Sequence, residues 1–155
     1  MGILTNIQDN ALALLQSDPY YARISKLTEQ IGDIRNQITT AVNKLGIVAI
    51  IMTPRAMVEA QGAPGPQLNP LELHIDIVEF VLKNRGEQGS RQPASDVAEH
   101  TAWLLHYPNH AGTRQDTYPF LAKQFYVVPD TNFLVYRVEF TTAGSLAGIV
   151  TPEEP

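Results

Sequence analysis

The stretch LELHIDIVEFVL, residues 71–82, restricts the possible folds of this chain more than any other segment. Apolar and polar residues alternate along its first half, which is the period-2 pattern of a strand with one buried face. His74 is expected on the opposite, polar face, in contact with solvent or an interface. From Val78 onward the apolar residues change parity, which predicts either a bulge or a strand end covered on its second face. The residues expected on the buried face are Leu71, Leu73, Ile75 and Ile77.

Three further segments are predicted to be strands. Residues 46–53, GIVAIIMT, form a β-branched run typical of a strand buried on both faces, and Pro54 is expected to end it. Residues 123–130, KQFYVVPD, and 131–142, TNFLVYRVEFTT, are expected to form two strands that meet at a Pro-Asp turn. The last strand is expected to direct inward the side chains of Leu134, Tyr136, Val138 and Phe140.

Two helices are predicted before the first strand, at residues 3–16 and 20–45. Gly46 follows the second and fits the position of a C-cap glycine. This helix could pack on a sheet or on a partner helix, and its flanking residues lack the complementary charges of a coiled coil. The apolar residues of its stripe recur at alternating spacings of three and four, at Ile24, Leu27, Ile31, Ile34, Ile38, Ala41 and Leu45.

The order of predicted elements is helix, helix, strand, arm, strand, helix, strand, strand. Short turns between neighbouring strands favour antiparallel pairing, so we predict an α+β fold: two layers, a mostly antiparallel sheet, and helices on one face. A chain of 155 residues fits a single domain, which we place at residues 1–142, with a flexible C-terminal tail at 143–155. Residues 55–70 are rich in glycine and proline and are expected to form an extended arm or loop.

Composition excludes several classes of function. The chain has no cysteine, so disulfides and thiolate-bound metals are ruled out. Its formal net charge is −5 and its eleven Lys and Arg residues are scattered, which is not the clustered positive charge of a nucleic-acid-binding protein. The first residues lack the pattern of a signal peptide, and no apolar run could span a bilayer. We therefore expect a soluble, intracellular protein without a membrane partner.

The segment SDVAEHTAWLLHYPNH, residues 95–110, contains the one candidate for catalytic chemistry. Asp96, Glu99 and His100 would share one face of a helix, where a carboxylate and an imidazole can bind a metal ion in a small hydrolase. The alternative is a capping box, in which Asp96 accepts an amide of the first turn and Glu99 reaches back to the cap. His106 is expected to point away around the helix, and His110 could fold back. The capping box explains these residues better.

The second half of the chain resembles a known family. The strand LELHIDIVEFVL, a glycine-rich turn, the helix ASDVAEHTAWLLHYP and the closing VVPDTNFLVYRVEFTT are together similar to small tail-completion proteins of bacteriophages, and above all to the tail terminators. The similarity covers residues 20–142 by element order and residues 71–142 more specifically. It rests on pattern and includes no catalytic signature.

The resemblance implies a structural virion protein rather than an enzyme, with no cofactor. Such a protein forms a homo-oligomeric ring, expected to be a hexamer, that caps the tail tube, stops its polymerisation and joins it to the head connector. DNA would pass through the ring without specific binding. The protein would act in the host cytoplasm during assembly and then belong to the virion tail. Another neck or head-tail connector ring protein is the alternative within this class, and the metal-dependent hydrolase is the alternative outside it.

A ring built from head-to-tail contacts needs two different surface patches on each subunit. The arm at 55–70 and the loop at 83–93 are the candidates, because both are long and expected to be exposed. The charged residues that we expect to contact a neighbouring subunit or the tube are Arg55, Glu59, Arg85, Glu87 and Arg91.

Overall fold

The structure is a computed structural model and describes residues 2–29, 33–59, 67–110 and 118–145. Its helices are α1 (Ile3–Ser17), α2 (Ile34–Leu45), α3 (Val81–Asn84) and α4 (Ala94–Leu105), with short 3-10 helices at Pro19–Tyr21 and Tyr107–His110. Its strands are β1 (Ser25–Thr28), β2 (Ile47–Glu59), β3 (Gln67–Glu79), β4 (Leu121–Val128) and β5 (Leu134–Ser145).

The five strands form one sheet in the order β1-β2-β3-β5-β4. Every neighbouring pair is antiparallel except β1 and β2, which run in the same direction. The predicted α+β class with a mostly antiparallel sheet is confirmed. None of the helices among the described residues is long and apolar enough to cross a membrane.

The main core lies between the sheet and the helices α1 and α4. Alternate residues of β2, β3 and β5 pack there against the buried sides of these two helices, as the strand alternation predicted. Helix α2 does not share this face: Ala41 and Val42 pack with Val48, Ile50 and Val78 on the other side of the sheet. The prediction of helices on one face therefore holds for α1 and α4 and not for α2.

Strand β3 confirms the alternation from which the fold prediction began. Leu71, Leu73, Ile75 and Ile77 are fully buried in the main core. Val78 is buried on the second face, beside α2, so the change of parity marks a doubly covered strand end and not a bulge. His74 contradicts its prediction: it is only 8% exposed, because Glu72 and Glu139 surround it on that face.

The predicted helix at 20–45 is wrong in its first half. Tyr20 and Tyr21 belong to a 3-10 turn, and Ser25–Thr28 form β1, which pairs in parallel with Val48–Ile51 of β2. Ile24 and Leu27 are both apolar because they pack into the cores on different faces of the sheet. Their spacing of three therefore looks helical in the sequence although these residues are not in a helix. The second half is confirmed as a helix on a sheet. Gly46 ends it in the left-handed conformation, with φ of 86°.

Pro54 does not end β2, which continues to Glu59. A proline is tolerated here because β1 pairs with β2 only up to Ile51, so the position lies on a free edge where no N–H is needed. The predicted arm at 55–70 is thus partly strand, with residues 55–59 in β2 and 67–70 in β3. Residues 60–66 lie outside the described residues.

Residues 143–145 of the predicted flexible tail belong to a strand. Strand β5 continues to Ser145, where Gly144 pairs with Leu68 and Ser145 with Gln67. The domain boundary at residue 142 is therefore corrected to include the end of this strand. Residues 146–155, the rest of the predicted tail, lie outside the described residues.

Candidate functional site

The capping box predicted for α4 is not formed. The helix begins at Ala94, its N-cap is Pro93, and no side chain of the cap residue makes a capping hydrogen bond. Asp96 therefore lies inside the first turn, where its negative charge interacts favourably with the positive end of the helix dipole. The function expected of Asp96 belongs instead to Glu79, whose Oε1 accepts the N–H of Ala94 at 2.9 Å.

Glu79 is the most constrained acid in the described structure. It is fully buried at the end of β3 and accepts hydrogen bonds from Asn84 Nδ2 at 2.7 Å and Arg85 Nε at 2.9 Å, besides the Ala94 amide. Asn84 is also buried and donates to the carbonyl of Gln92 at 2.8 Å. This cluster ties the end of the central strand to the first turn of α4. The cluster was not predicted from the sequence, although an acid between apolar neighbours in IDIVEFVL was a usable signal.

The surroundings of Glu79 decide its charge. Burial alone would raise the pKa of this carboxyl, but hydrogen bonds from Arg85, Asn84 and the Ala94 amide outweigh burial and hold the pKa below its usual value. Glu79 is therefore ionised in the folded protein, and Arg85 provides its counter-charge.

Acid should therefore destabilise the fold through Glu79. Since its folded pKa is lowered, the stability it contributes is present above the unfolded glutamate pKa of about 4.3 and is lost as pH falls through the folded pKa. Urea unfolding between about pH 5 and 3 should show a steeper loss of stability in the wild type than in Glu79→Gln, which cannot titrate. Glu87→Gln, on the exposed part of the same loop, should keep the wild-type pH dependence.

His100 is held by the N-terminal part of the chain. Its Nε2 lies 2.9 Å from Asp18 Oδ2, and its ring stacks on Tyr20 with centroids 4.0 Å apart and planes 21° apart. Burial would raise the pKa of Asp18, but the hydrogen bond from His100 and the amide of Tyr20 lower it overall. The contact joins α4 to the turn after α1, so a packing role is sufficient to explain this histidine.

An open pocket lies beside His100. It has a volume of about 540 Å³ and is lined by Tyr20, Asp96, Glu99, His100 and Trp103. The hydrolase alternative had placed three of these residues on one face, and the structure does bring them to one pocket. Burial raises the pKa of Tyr20, and the nearby negative charges of Asp96, Asp18 and Glu99 raise it further.

The described residues contain no group of three or more His, Cys, Asp or Glu side chains arranged to hold a metal ion. His106 binds the backbone of β4, because its Nδ1 accepts the N–H of Ala122 at 3.0 Å. The side chain of His110 lies outside the described residues.

Zinc or manganese is expected to leave the melting temperature of the protein unchanged, because His100 Nε2 already binds Asp18 and the ring stacks on Tyr20. A site saturated 100-fold above its dissociation constant would stabilise the fold by about 2.7 kcal/mol, which a thermal scan readily detects. A rise of several degrees that disappears in His100→Ala would support the hydrolase. Glu72→Gln, at a different surface, is the matched control.

The five predicted interface residues separate into two groups. Arg55, on the distal part of β2, pairs with Glu72 at 2.5 Å, and Glu59 is the last residue of that strand. Arg85 binds Glu79, while Glu87 and Arg91 lie exposed on the loop before α4. The first group lies at the N-terminal end of β3, and the second lies just beyond its C-terminal end, where Glu79 pairs with Ile47. Their role in an interface stays a prediction.

Exposed apolar side chains of the strands lie at two places, one in the predicted arm and one that no sequence pattern had assigned. One is the distal part of β2, where Met57 is 51% and Val58 61% exposed. The other is the edge strand β4, whose exposed apolar residues are Leu121, Phe125, Tyr126 and Val127. The run QFYVV, which lacks alternation, was the available signal for the second surface.

No protein-family model fits the chain, and no curated protein is significantly similar to it.

Proposed function

We propose that this chain is a structural virion protein of the tail terminator kind. In this proposal it forms a ring, expected to be a hexamer, that caps the tail tube, stops its polymerisation and joins it to the head-tail connector protein. It acts in the host cytoplasm during assembly and remains in the virion tail. DNA passes through the ring without specific binding.

The arrangement of the two candidate contact regions carries this proposal. The arm extends from one end of β3 and the 83–93 loop follows its other end, so the two regions lie at opposite ends of the strands. A ring that joins a tube to a connector must contact different partners on its two faces. Strands that run roughly along the ring axis would direct the arm to one face and the loop to the other.

The arm has the properties of a contact surface. Residues 55–59 of the arm pair with β3, and residues 67–68 of the arm also pair with β5, so the described parts of the arm continue the sheet. It presents Met57 and Val58 to solvent although both are apolar. A preformed apolar projection loses little conformational entropy on binding, which suits contact with a tube end.

Val58→Lys in the arm is expected to disturb tail-length control. The position is exposed, so the variant should fold, while a charge in the proposed contact should weaken binding to the tube. Complementation of a virus lacking the gene, followed by electron microscopy, should then show overlong or headless tails. Leu4→Lys on α1 is the matched control, since it places the same charge at another exposed apolar residue.

Tails of normal length in Val58→Lys and in Met57→Lys would contradict the function assigned to the arm. A neck or connector ring protein would give a different defect, in which tails of normal length fail to join heads.

A native mass spectrum of the purified protein reports subunit number and bound metal together. A metal-free hexamer would support the ring, and a monomer with one metal ion would favour the hydrolase.

A further inference from the structure

We propose that the ring closes through the two edges of the sheet, with β4 of one subunit pairing alongside β1 of a second copy. This inference rests on the proposed ring for the identity of its occupant, and it names the surfaces that make the contact. The sheet is open, and among the described residues no strand pairs with the outer side of β4 or of β1.

The exposed apolar residues of β4 point to a strand as the occupant. Residues opposite each other in an antiparallel pair share a face of the sheet. Phe125 and Val127 are opposite Val138 and Tyr136, on the face of the main core, whereas Tyr126 is opposite Arg137, on the other face. A helix laid on one face would cover only one set. A strand added along the edge flanks both.

Strand β4 also lacks the features that protect free edges in natural sheets. It contains neither proline nor glycine, and its one charge, Lys123, lies at the register irregularity between Ala122 and Gln124. The amide of Ala122 is bound by His106. Residues 124–128 therefore form an uncharged run with regular pairing to β5, ready to accept another strand.

The free edge of distal β2 is protected by contrast. The carboxylate of Glu29 accepts the N–H of Thr53 at 2.7 Å, and Pro54, the next residue, has no N–H. The pairing of β2 with β3 is irregular around these two residues, between Met52 and Arg55, and again between Ala56 and Val58. This edge is a poor acceptor for a strand, which leaves β1 as the second usable edge.

Strand β1 is comparable to the regular run 124–128 of β4, because it has no free charge at its edge and is only one residue shorter. Its single charged residue, Lys26, turns back onto its own chain and donates to the carbonyls of Tyr21 and Ile24, both at 2.7 Å. The ammonium group therefore does not guard the edge as an exposed lysine would. Ser25–Thr28 provide four residues against the five of the regular run in β4.

The directions of the strands fit a ring. Strand β1 is parallel to β2, and three antiparallel pairings separate β2 from β4, so β1 and β4 run in opposite directions. A neighbour related by rotation about an axis along the strands therefore presents β1 antiparallel to β4. Such a contact joins two different patches head to tail, as ring closure requires. It leaves the arm and the 83–93 loop free at the two ends.

The first test is assembly of the full chain, measured by size-exclusion chromatography with light scattering. Val127→Lys, at a position 50% exposed, should fold but raise the concentration needed for assembly at least about 30-fold, the loss typical of a central interface anchor. Leu4→Lys should assemble like the wild type. Circular dichroism establishes that both variants are folded.

The second test identifies the paired edges by cross-linking, which is clean because the chain has no cysteine. Val127→Cys and Ser25→Cys, each carrying a tag of different mass, are mixed and treated with a short bismaleimide. Head-to-tail pairing predicts cross-links between the two variants and none within either one. Cross-links of Val127→Cys to itself would show a two-fold β4–β4 contact and overturn the inference.

Two further outcomes would contradict the proposed pairing of β4 with β1. If Val127→Lys assembles normally and Val58→Lys does not, the arm and not β4 makes the ring contact, so this inference fails while the ring stands. If the wild type stays monomeric at high micromolar concentration, the inference fails, and the tail-length assay alone judges the proposed function.

Discussion

Glu79→Ala is expected to lower the free energy of unfolding by about 3–5 kcal/mol, the range found when one partner of a buried charged network is removed. Asn84 Nδ2 and the amide of Ala94 would lose their acceptor inside the protein, at the junction of β3 and α4. Arg85 would lose less, because its side chain is 46% exposed and water can replace the carboxylate. Since small domains have only about 5–15 kcal/mol of stability, this single change should leave little margin.

Urea denaturation monitored by Trp103 fluorescence and circular dichroism measures this loss. Glu87→Ala is the matched control: it removes an exposed glutamate from the same loop and should change stability by less than about 0.5 kcal/mol. A loss below about 1 kcal/mol for Glu79→Ala would contradict the account, because it would mean that the Asn84 and Ala94 donors find other acceptors.

Gly46→Ala is expected to destabilise the protein by about 2–5 kcal/mol, from two causes. Its φ of 86° is unfavourable for a residue with a Cβ, and that Cβ would lie against the backbone of Asn84, 2.6 Å from its Cα. Asn84 cannot move aside easily, because it binds Glu79 and the Gln92 carbonyl. Gly89 also lies close to Asn84, and a Cβ there would meet the carbonyl oxygens of Lys83 and Asn84.

The loss of stability is measured by thermal and urea unfolding of Gly46→Ala, with Gly2→Ala as the control. A Cβ on Gly2 meets nothing within 4 Å, so Gly2→Ala should unfold like the wild type. If Gly46→Ala also unfolded like the wild type, the contact between the end of α2 and Asn84 would not be as close as described. If Gly89→Ala were destabilised while Gly46→Ala was as stable as the wild type, only Gly89 would be in close contact with Asn84.

Local patterns predicted the parts of this molecule that depend on neighbouring residues in the chain. Four features could be predicted from the sequence directly: the alternation in β3 and β5, the doubly buried start of β2, the helix α1 and the C-cap at Gly46. Each depends only on residues close together in the chain. The residues of the pocket, Asp96, Glu99 and His100, were also identified together. Their helix was correct, but the cap assigned to Asp96 was not.

Contacts between distant residues decided the rest. Residues 25–28 have helical spacing in the sequence, yet parallel pairing with β2 makes them a strand. The N-terminus of α4 takes its acceptor from Glu79, fifteen residues earlier, so no local capping motif could reveal it. The burial of His74 depends on Glu139 in another strand.

The sequence by itself determined the α+β class and the faces of most strands, since apolar periodicity follows from burial along a single element. Only the tertiary structure decided that β4 and β1 are the two edges of the sheet, that the arm and the 83–93 loop lie at its opposite ends, and that Glu79 anchors α4. Strand order and buried polar networks depend on residues far apart in the chain, and a local pattern does not contain that information.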